Sequence, residues 1–277
     1  STAALSWTKG VLGYGFNVSM EKPKPLTGQV AWITGSSRGI GNSVARRLAS
    51  SGADIVLHGT SPTSTRSLNE GESLQAAADE IAEKHGTTVF PVHGDLTDEE
   101  TVGRIVGEIV DWLGRIDILV TCAGGDIGSK GITGPAAGKP ESNDGVFIDL
   151  EDIRTVLDRN LLTCILCCRA VAPQMMERRQ GRIVSMGSIA GSWGIPESVI
   201  YATAKAAVHE YTRCLASQLR PYNINVNGVA PGQITTPRFL HSRPIEKSML
   251  PGGDTLERYG NPTEVARVVE FLVSEEA

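Results

Sequence analysis

The sequence is poor in several features that mark specialised classes of protein. It contains no run of 18 or more apolar residues and no basic stretch followed by an apolar one at its start, so neither a membrane span nor a signal peptide is predicted. Its net charge of -5 lacks the positive field that binders of nucleic acids or membrane surfaces need. We therefore expect a soluble, cytoplasmic protein whose partner is a small molecule.

Cysteines are too few and too irregularly spaced for a disulfide framework. They are five in number and lie in apolar segments: Cys122, Cys164, Cys167, Cys168 and Cys214. This usage is typical of a reducing compartment. The Cys-x-x-Cys-Cys run on one predicted helix cannot surround a metal ion and has no second ligand cluster, and the five histidines show no ligand spacing. The pattern favours small buried hydrophobic residues, and we predict no metal site.

The rest of the chain alternates short β-branched runs with longer amphipathic stretches, which is typical of parallel βαβ units. The predicted strands are 30–34, 55–58, 88–92, 118–121, 182–186 and 224–229. The predicted helices are 40–51, 72–85, 99–113, 150–178, 199–219 and 263–273. Together they indicate an α/β fold, a Rossmann-like doubly wound parallel sheet in a single domain, with a ligand crevice at the carboxyl ends of the strands.

Three segments depart from this alternation. Residues 1–27 have no clear period and are interpreted as an N-terminal extension of unknown role, which leaves 28–277 as the single domain. Segments 124–150 and 233–260 are long and irregular and come after predicted strands. Because long loops at the carboxyl edge of such a sheet often carry function, we expect these two to shape a substrate pocket.

A glycine-rich turn comes directly after the first predicted strand and opens the first helix: Thr34-Gly-Ser-Ser-Arg-Gly-Ile-Gly41. Glycine permits a tight turn and lets the backbone approach a pyrophosphate at a helix N-terminus. A strand before and a helix after favour a dinucleotide site over a ligand-free turn. The expected cofactor contacts in the turn are Gly35, Ser37, Arg38, Gly39, Ile40 and Gly41.

The segment after the second strand bears on the choice of cofactor. NAD sites usually place an acid there for the ribose hydroxyls, but Leu57-His-Gly-Thr-Ser-Pro62 contains none. Thr60 and Ser61 hydroxyls, together with the Arg38 guanidinium, suit a 2′-phosphate instead. The sequence therefore favours NADP(H) over NAD(H), and the plainer alternative for Arg38 is a solvated turn residue.

Three polar residues supply a candidate catalytic centre. Tyr201 and Lys205 are four apart, so on a helix they share one face. A free tyrosine has a pKa of about 10, and a neighbouring ammonium group lowers the pKa of a phenol toward the working range of a proton donor and acceptor. Ser188 lies at the end of a strand, thirteen residues before Tyr201, where its hydroxyl can hydrogen-bond a substrate oxygen.

In this order and spacing, the motifs resemble the short-chain dehydrogenase/reductase family, with a likeness to its 3-oxoacyl carrier-protein reductase-like members, from about Leu26 to the end of the chain. The resemblance implies that Tyr201 is the general acid/base, that Lys205 is its pKa partner and a ribose ligand, and that Ser188 orients the carbonyl group. It also implies that Asn160 supports a proton-relay water, and it suggests a homotetramer. The further cofactor contacts that it implies are Asp95, Leu96, Cys122, Ala123, Gly124, Pro231, Gly232, Ile234 and Thr236.

Each supporting residue also has a plainer explanation. Asn160 can bridge backbone groups, Asp95 can begin a turn and Thr236 can be ordinary loop polarity. Trp193, between Ser188 and Tyr201, is compatible with a pocket wall or a core position. The basic residues Arg238, His241, Arg243 and Lys247 suggest either an anionic substrate or a solvated face.

The chain departs from the family pattern at three places. Cys122 stands where the family usually has asparagine, which removes that side chain's hydrogen bonds while leaving backbone contact to the cofactor possible. The loop 125–147 is longer than usual, so substrate specificity does not transfer. The chain ends at Ala277, before the family's usual last strand, which is expected to be either dispensed with or missing from this polypeptide.

The function predicted from these residues is the interconversion of a secondary alcohol and a ketone with NADP(H). Alternatives are an NAD(H)-dependent sugar or polyol dehydrogenase of the same family and a non-catalytic cofactor sensor, which would show degraded catalytic positions. A sugar-nucleotide epimerase would need another glycine spacing and a longer carboxyl-terminal domain. The substrate stays open among a carrier-bound 3-oxoacyl group, a sugar or polyol and a small hydrophobic ketone.

Overall fold

A parallel six-stranded sheet forms the centre of the protein, which we describe from a computed structural model over residues 24–250 and 255–277. Its strand order is β3-β2-β1-β4-β5-β6. The strands are β1 (Val30–Ile33), β2 (Asp54–Gly59), β3 (Val89–His93), β4 (Ile118–Thr121), β5 (Gly181–Met186) and β6 (Ile224–Val229). Each lies within one residue of its predicted bounds, and the predicted single-domain, doubly wound α/β class is confirmed. Most of the predicted extension 1–27 lies outside the described residues.

Helices cover both faces of this sheet. They are α1 (Gly39–Ser50), α2 (Leu74–His85), α3 (Glu99–Leu113), α4 (Pro135–Gly138), α5 (Leu150–Leu157), α6 (Thr163–Arg178), α7 (Val199–Leu219), α8 (Pro237–His241) and α9 (Pro262–Val273). One apolar cluster joins the sheet to α3, α6 and α7, and the other joins it to α1, α2 and α9. Because both faces are covered, β1 and β4 are buried along their whole length, as their unbroken apolar sequences indicate. Cys164, Cys167 and Cys168 lie inside the first cluster.

The segment predicted as one helix over 150–178 is interrupted by a π-helical stretch. Asp158–Leu162 has the wider π turn and separates α5 from α6. Such a turn accommodates one extra residue, and it brings the buried Asn160 side chain onto the backbone of Gly125. A pattern of apolar spacing cannot reveal a shift of one residue inside a continuous helix, so the sequence did not predict it.

The two irregular segments contact each other beside the carboxyl edge of the sheet. Within 124–150, α4 is a single turn in which Ala136 and Ala137 have positive φ angles of 49° and 52°. Arg238, on α8, donates hydrogen bonds to the backbone oxygens of Ala137 and Asp126. Helix α8, within 233–260, therefore packs against 124–150. Residues 251–254 lie outside the described part of the chain.

The position of Trp193 differs from both predicted alternatives. Its side chain is 65% exposed and lines a shallow depression with Ile195 and Ala202, away from the main cleft. It is therefore neither a wall of the predicted pocket nor a core residue.

Candidate active site

A cleft of about 470 Å³ opens at the carboxyl edge of the sheet. The turn after β1, the ends of β2, β4 and β5, helix α7 and the segment before α8 all contribute to its lining. Crevices at this edge are the usual ligand sites of doubly wound sheets, because the strand order reverses there. The predicted catalytic and cofactor motifs thus meet in one cavity.

At two positions, the glycine-rich turn packs so closely against other backbone atoms that a side chain would not fit. A Cβ atom on Gly35, whose φ is +63°, would lie 2.8 Å from Ala123 Cα, and one on Gly41 would lie 2.6 Å from Gly35 O. The Thr34 hydroxyl accepts hydrogen bonds from the backbone N–H groups of Cys122 and Ala123, both at 2.9 Å. Beyond Gly39, the N-terminus of α1 offers backbone N–H groups and has no acid in its first turn, which fits a cofactor pyrophosphate.

The His58 side chain supports this turn through hydrogen bonds, a role that the sequence did not predict. Its Nδ1 accepts a hydrogen bond from Gly35 N–H at 3.0 Å, and its Nε2 lies 3.1 Å from Gly94 O. Because a carbonyl oxygen only accepts, the proton must sit on Nε2 and the ring must be neutral. Burial lowers the pKa of His58 to about 4, in agreement with this tautomer. Its place at the carboxyl end of the second strand was the signal that could have identified it.

Beside the glycine-rich turn, the cleft holds an acid that the sequence analysis did not identify. Glu70, from the loop before α2, lines the cleft, and its Oε2 accepts a hydrogen bond from Gly39 N–H at 2.8 Å. Burial raises the pKa of Glu70, while that hydrogen bond and the positive charge of Arg38 oppose the shift. Arg38 also lines the cleft and donates from Nη1 to Ser64 O at 2.8 Å. Thr60 lines the cleft too, whereas Ser61 does not.

Asp95 and Arg159 also line the cleft. The Asp95 carboxylate accepts hydrogen bonds from the backbone and hydroxyl of Thr97, so it forms the turn that its sequence context allowed while still lining the cleft. Leu96 is buried beside it. Burial lowers the pKa of Arg159, whose Nε has no hydrogen-bond partner among the described residues.

The predicted catalytic residues lie on the wall formed by β5 and α7. Lys205 is 5% exposed, its Nζ donates to Met186 O at 2.8 Å, and Nζ lies 5.8 Å from the centroid of the Tyr201 ring. Ser188 and Tyr201 line the same cavity. The Ser188 backbone is held by His209 Nε2 at 3.3 Å, and the Ser188 hydroxyl accepts from Ala190 N–H at 3.2 Å. This arrangement presents a phenol, an ammonium group and a hydroxyl to one bound molecule.

Asn160 lies behind this wall and not on it. Its Oδ1 accepts from Gly125 N–H at 2.8 Å, and its Nδ2 donates to Gly125 O at 2.9 Å and to Val156 O at 2.8 Å. A Cβ on Gly124 would lie 2.6 Å from Asn160 Oδ1 and 3.4 Å from Lys205 Nζ. The side chain therefore fixes the loop after β4 beside Lys205, and its part in a proton relay stays a prediction.

The cofactor contacts predicted in the segment after β6 are only partly brought together in the cleft. Pro231, Gly232 and Thr236 line the cleft, and Thr236 Oγ1 also caps α8 by accepting from Phe239 N–H at 3.1 Å. Ile234 does not line the cleft, because it bridges to Gly260 and packs on the second apolar cluster.

Cys122, Ala123 and Gly124 line the cleft where the strand β4 ends. Burial raises the pKa of Cys122 to about 11, so its thiol stays protonated at neutral pH. The Cys122 backbone N–H is satisfied by Thr34, which provides a link between β1 and β4 at this position.

Neither a membrane-spanning helix nor a metal-binding cluster is found within residues 24–250 and 255–277. No helix in that part of the chain is both long and apolar enough to span a membrane. The same residues contain no group of three or more histidine, cysteine, aspartate or glutamate side chains arranged to hold a metal ion.

Comparisons with known proteins agree with this geometry. The family model for short chain dehydrogenases matches residues 29–246. Cyclohexanol dehydrogenase of Rhodococcus sp. is 39% identical over 91% of each chain, and a 3-oxoacyl-[acyl-carrier-protein] reductase of Aquifex aeolicus is 37% identical over 90% of this chain and 92% of its own. A solved 7α-hydroxysteroid dehydrogenase complexed with NADH and 7-oxo-glycochenodeoxycholic acid is 27% identical, with a TM-score of 0.73 over 91% of this chain and 89% of that one. The chain belongs to the short-chain dehydrogenase family of nicotinamide-dependent oxidoreductases, which act on CH–OH or keto groups.

Proposed function

We propose that the protein interconverts a secondary alcohol and a ketone with NADP(H), using Tyr201 as general acid/base. The observation that carries the proposal is the shared cleft: Tyr201, Lys205 and Ser188 line one end and the glycine-rich turn lines the other. When bound, the nicotinamide ring supplies or accepts the hydride. The protein's own groups then have to orient the substrate oxygen and move one proton.

The roles of the side chains are inferred from their surroundings. The Tyr201 hydroxyl gives a proton to the forming alkoxide, or takes one from the alcohol in the other direction. Lys205, whose ammonium is buried near the Tyr201 ring, places a positive charge beside the reacting groups and donates toward the ribose. Ser188, with its backbone fixed by His209, orients the substrate oxygen, and Asn160 holds the loop that borders Lys205.

A preference for NADP(H) is supported by the adenosine end of the cleft. Arg38 and Thr60 both line it, and Arg38 is oriented by Ser64 O, so a guanidinium and a hydroxyl are available to a 2′-phosphate. Ser61 lies outside the cleft lining and contributes less to this proposal than Thr60.

An uncharged substrate is favoured over an anion. Arg238 uses two N–H groups on the backbone oxygens of Asp126 and Ala137, and the Arg243 guanidinium lies 4.5 Å from the centroid of the Phe239 ring. His241 is exposed and bonds to Pro237 O. The hydrogen-bond donors of Arg238 are thus used within the protein although Arg238 lines the cleft, which supports a neutral ketone in a pocket that also includes Ile127 and Met186.

The test is turnover of a panel of ketones and secondary alcohols, measured by nicotinamide absorbance with NADPH and NADH side by side. The panel includes cyclohexanone, a 3-oxoacyl thioester, a keto-steroid and a ketose. Tyr201→Phe should lower kcat by about 10²–10⁴-fold, because the proton donor is lost, while the Kd for NADPH changes less than about twofold. Tyr222→Phe removes the same atom from a tyrosine outside the cleft and serves as the control.

Retention of turnover in Tyr201→Phe would refute the assignment of the acid/base. A wild-type protein that binds cofactor and turns over no member of the panel would favour the non-catalytic sensor. The homotetramer and the cytoplasmic location stay predictions.

A further inference from the structure

Glu70 reaches the cleft from the loop between β2 and α2 and not from the end of β2. The sequence after β2 has no acid at the strand end, but the loop 60–73 folds back over the glycine-rich turn. Asn69 adopts the left-handed conformation, with φ 56°, and the Glu70 N–H donates to Thr65 O at 3.1 Å. These two features turn the Glu70 side chain toward Gly39, where its carboxylate accepts the backbone N–H at 2.8 Å.

The Glu70 carboxylate lies beside the N-terminus of α1 and acts on the charge of Arg38. Gly39 is the first residue of α1, and a free N–H at a helix N-terminus is a natural partner for a phosphate or a carboxylate. Glu70 takes that N–H, and its negative charge acts on Arg38, the residue beside Gly39 that the proposed function assigns to the 2′-phosphate. The Glu70 carboxylate therefore occupies the Gly39 N–H, which could otherwise bind an anion, and it also offsets the positive charge of Arg38.

We propose that Glu70 is a specificity-determining residue that opposes a 2′-phosphate and so limits the preference for NADP(H) that Arg38 creates. The proposal rests on the proposed function, since it assumes that the adenosine end of a nicotinamide cofactor lies beside Arg38. Arg38 and Glu70 then have opposite effects on the binding of the 2′-phosphate, and the balance between them sets the ratio of the affinities for NADPH and NADH.

The expected effect of Glu70 on the affinity for NADPH depends on the interaction between two charges across a partly buried cleft. A carboxylate several ångströms from a phosphate raises the free energy of the complex enough to change affinity about tenfold. NADH has no 2′-phosphate, so its affinity depends much less on the Glu70 charge. Asp95 and Asp158, the other acids in the lining, are the same in the wild type and in a Glu70 variant.

The test uses Glu70→Gln, because the glutamine amide oxygen can still accept the Gly39 N–H while the charge is removed. Dissociation constants for NADPH, NADH, 2′,5′-ADP and 5′-AMP are measured by calorimetry with the full chain. Glu72→Gln is the matched control: it removes the same charge two residues away from an exposed side chain outside the cleft.

We expect Glu70→Gln to tighten NADPH and 2′,5′-ADP about tenfold and to leave NADH and 5′-AMP within about twofold. Glu72→Gln should match the wild type for all four. The affinity gap between wild type and Glu70→Gln for NADPH should also narrow at high salt, because screening weakens the repulsion.

Unchanged NADPH affinity in Glu70→Gln, or equal tightening in Glu72→Gln, would overturn the proposal. So would a loss of NADH affinity without a gain for NADPH, which would make Glu70 a ribose ligand. Thermal denaturation checks that the variant folds. These measurements need no turnover, so they remain informative even if the protein reduces none of the ketones. A failure of the proposed catalytic function can therefore be told apart from a failure of the proposal for Glu70.

Discussion

His58 makes the stability of the fold depend on pH, and a substitution at this residue can separate its contribution from those of other titrating groups. Its pKa is about 4 in the folded protein, where both ring nitrogens are used by the backbone, against an ordinary value of 6.5 in an unfolded chain. Since the unfolded chain binds the proton first on acidification, stability is complete above pH 6.5 and falls as the pH drops toward 4. The difference of about 2.5 pH units corresponds to about 3 kcal/mol in the free energy of unfolding.

The perturbation is His58→Gln, which removes the titrating ring. At pH 7.5 the variant should be less stable than the wild type by about 1–3 kcal/mol, because Gly35 N–H and Gly94 O lose well-placed partners. By pH 4.5 the difference should have moved by about 2–3 kcal/mol in favour of the variant, so that it closes or reverses, since only the wild type has been losing the contribution of His58.

The assay is urea unfolding monitored by tryptophan fluorescence at several pH values between 7.5 and 4.5. His93→Gln is the matched control, because His93 is exposed at the end of the neighbouring strand. It should lose stability with pH in parallel with the wild type. If wild type and His58→Gln also lose stability in parallel over this range, the buried neutral ring is not the cause and the reasoning fails.

Two further predictions concern the backbone and the loops. Gly41→Ala should weaken binding of NADPH at least about tenfold, because the new Cβ meets Gly35 O at 2.6 Å, whereas Gly103→Ala, in open space on α3, should gain about 0.5–1 kcal/mol in urea unfolding. Arg238→Met should raise the KM for the ketone several-fold, since two loop oxygens lose their donor, and leave the Kd of NADPH within about twofold. Arg243→Met is the control, and equal KM effects in both variants would exclude the specific role of Arg238.

The fold was predictable because its signals are local and repeated. Buried parallel strands such as Val30–Ile33 and Ile118–Thr121 are unbroken apolar runs, and the glycine-rich turn needs its residue types wherever backbone passes close to backbone. The cluster of Ser188, Tyr201 and Lys205 is encoded by a strand end and a four-residue helix spacing, both of which can be read in the sequence.

The residues that sequence reasoning missed owe their positions to tertiary contacts. Glu70 lies 31 residues from Gly39 and reaches it only because a loop folds back, so no spacing rule locates it. His58 could be placed at a strand end, but its neutral state depends on Gly94, which lies 36 residues further on. Ser61 and Ile234 likewise lie outside the cleft lining because of the paths that their loops take. A motif in the sequence gives no information about such paths.

The π-helical stretch at Asp158–Leu162 also constrains how this chain can change in length. Deleting one residue there would let α5 and α6 join as one regular α-helix, but it would rotate α5 by about 100° relative to α6. Asn160 would then leave Gly125, and the loop beside Lys205 would lose its anchor. A deletion of one residue should therefore disrupt this site, although the helix would look more regular without the extra residue.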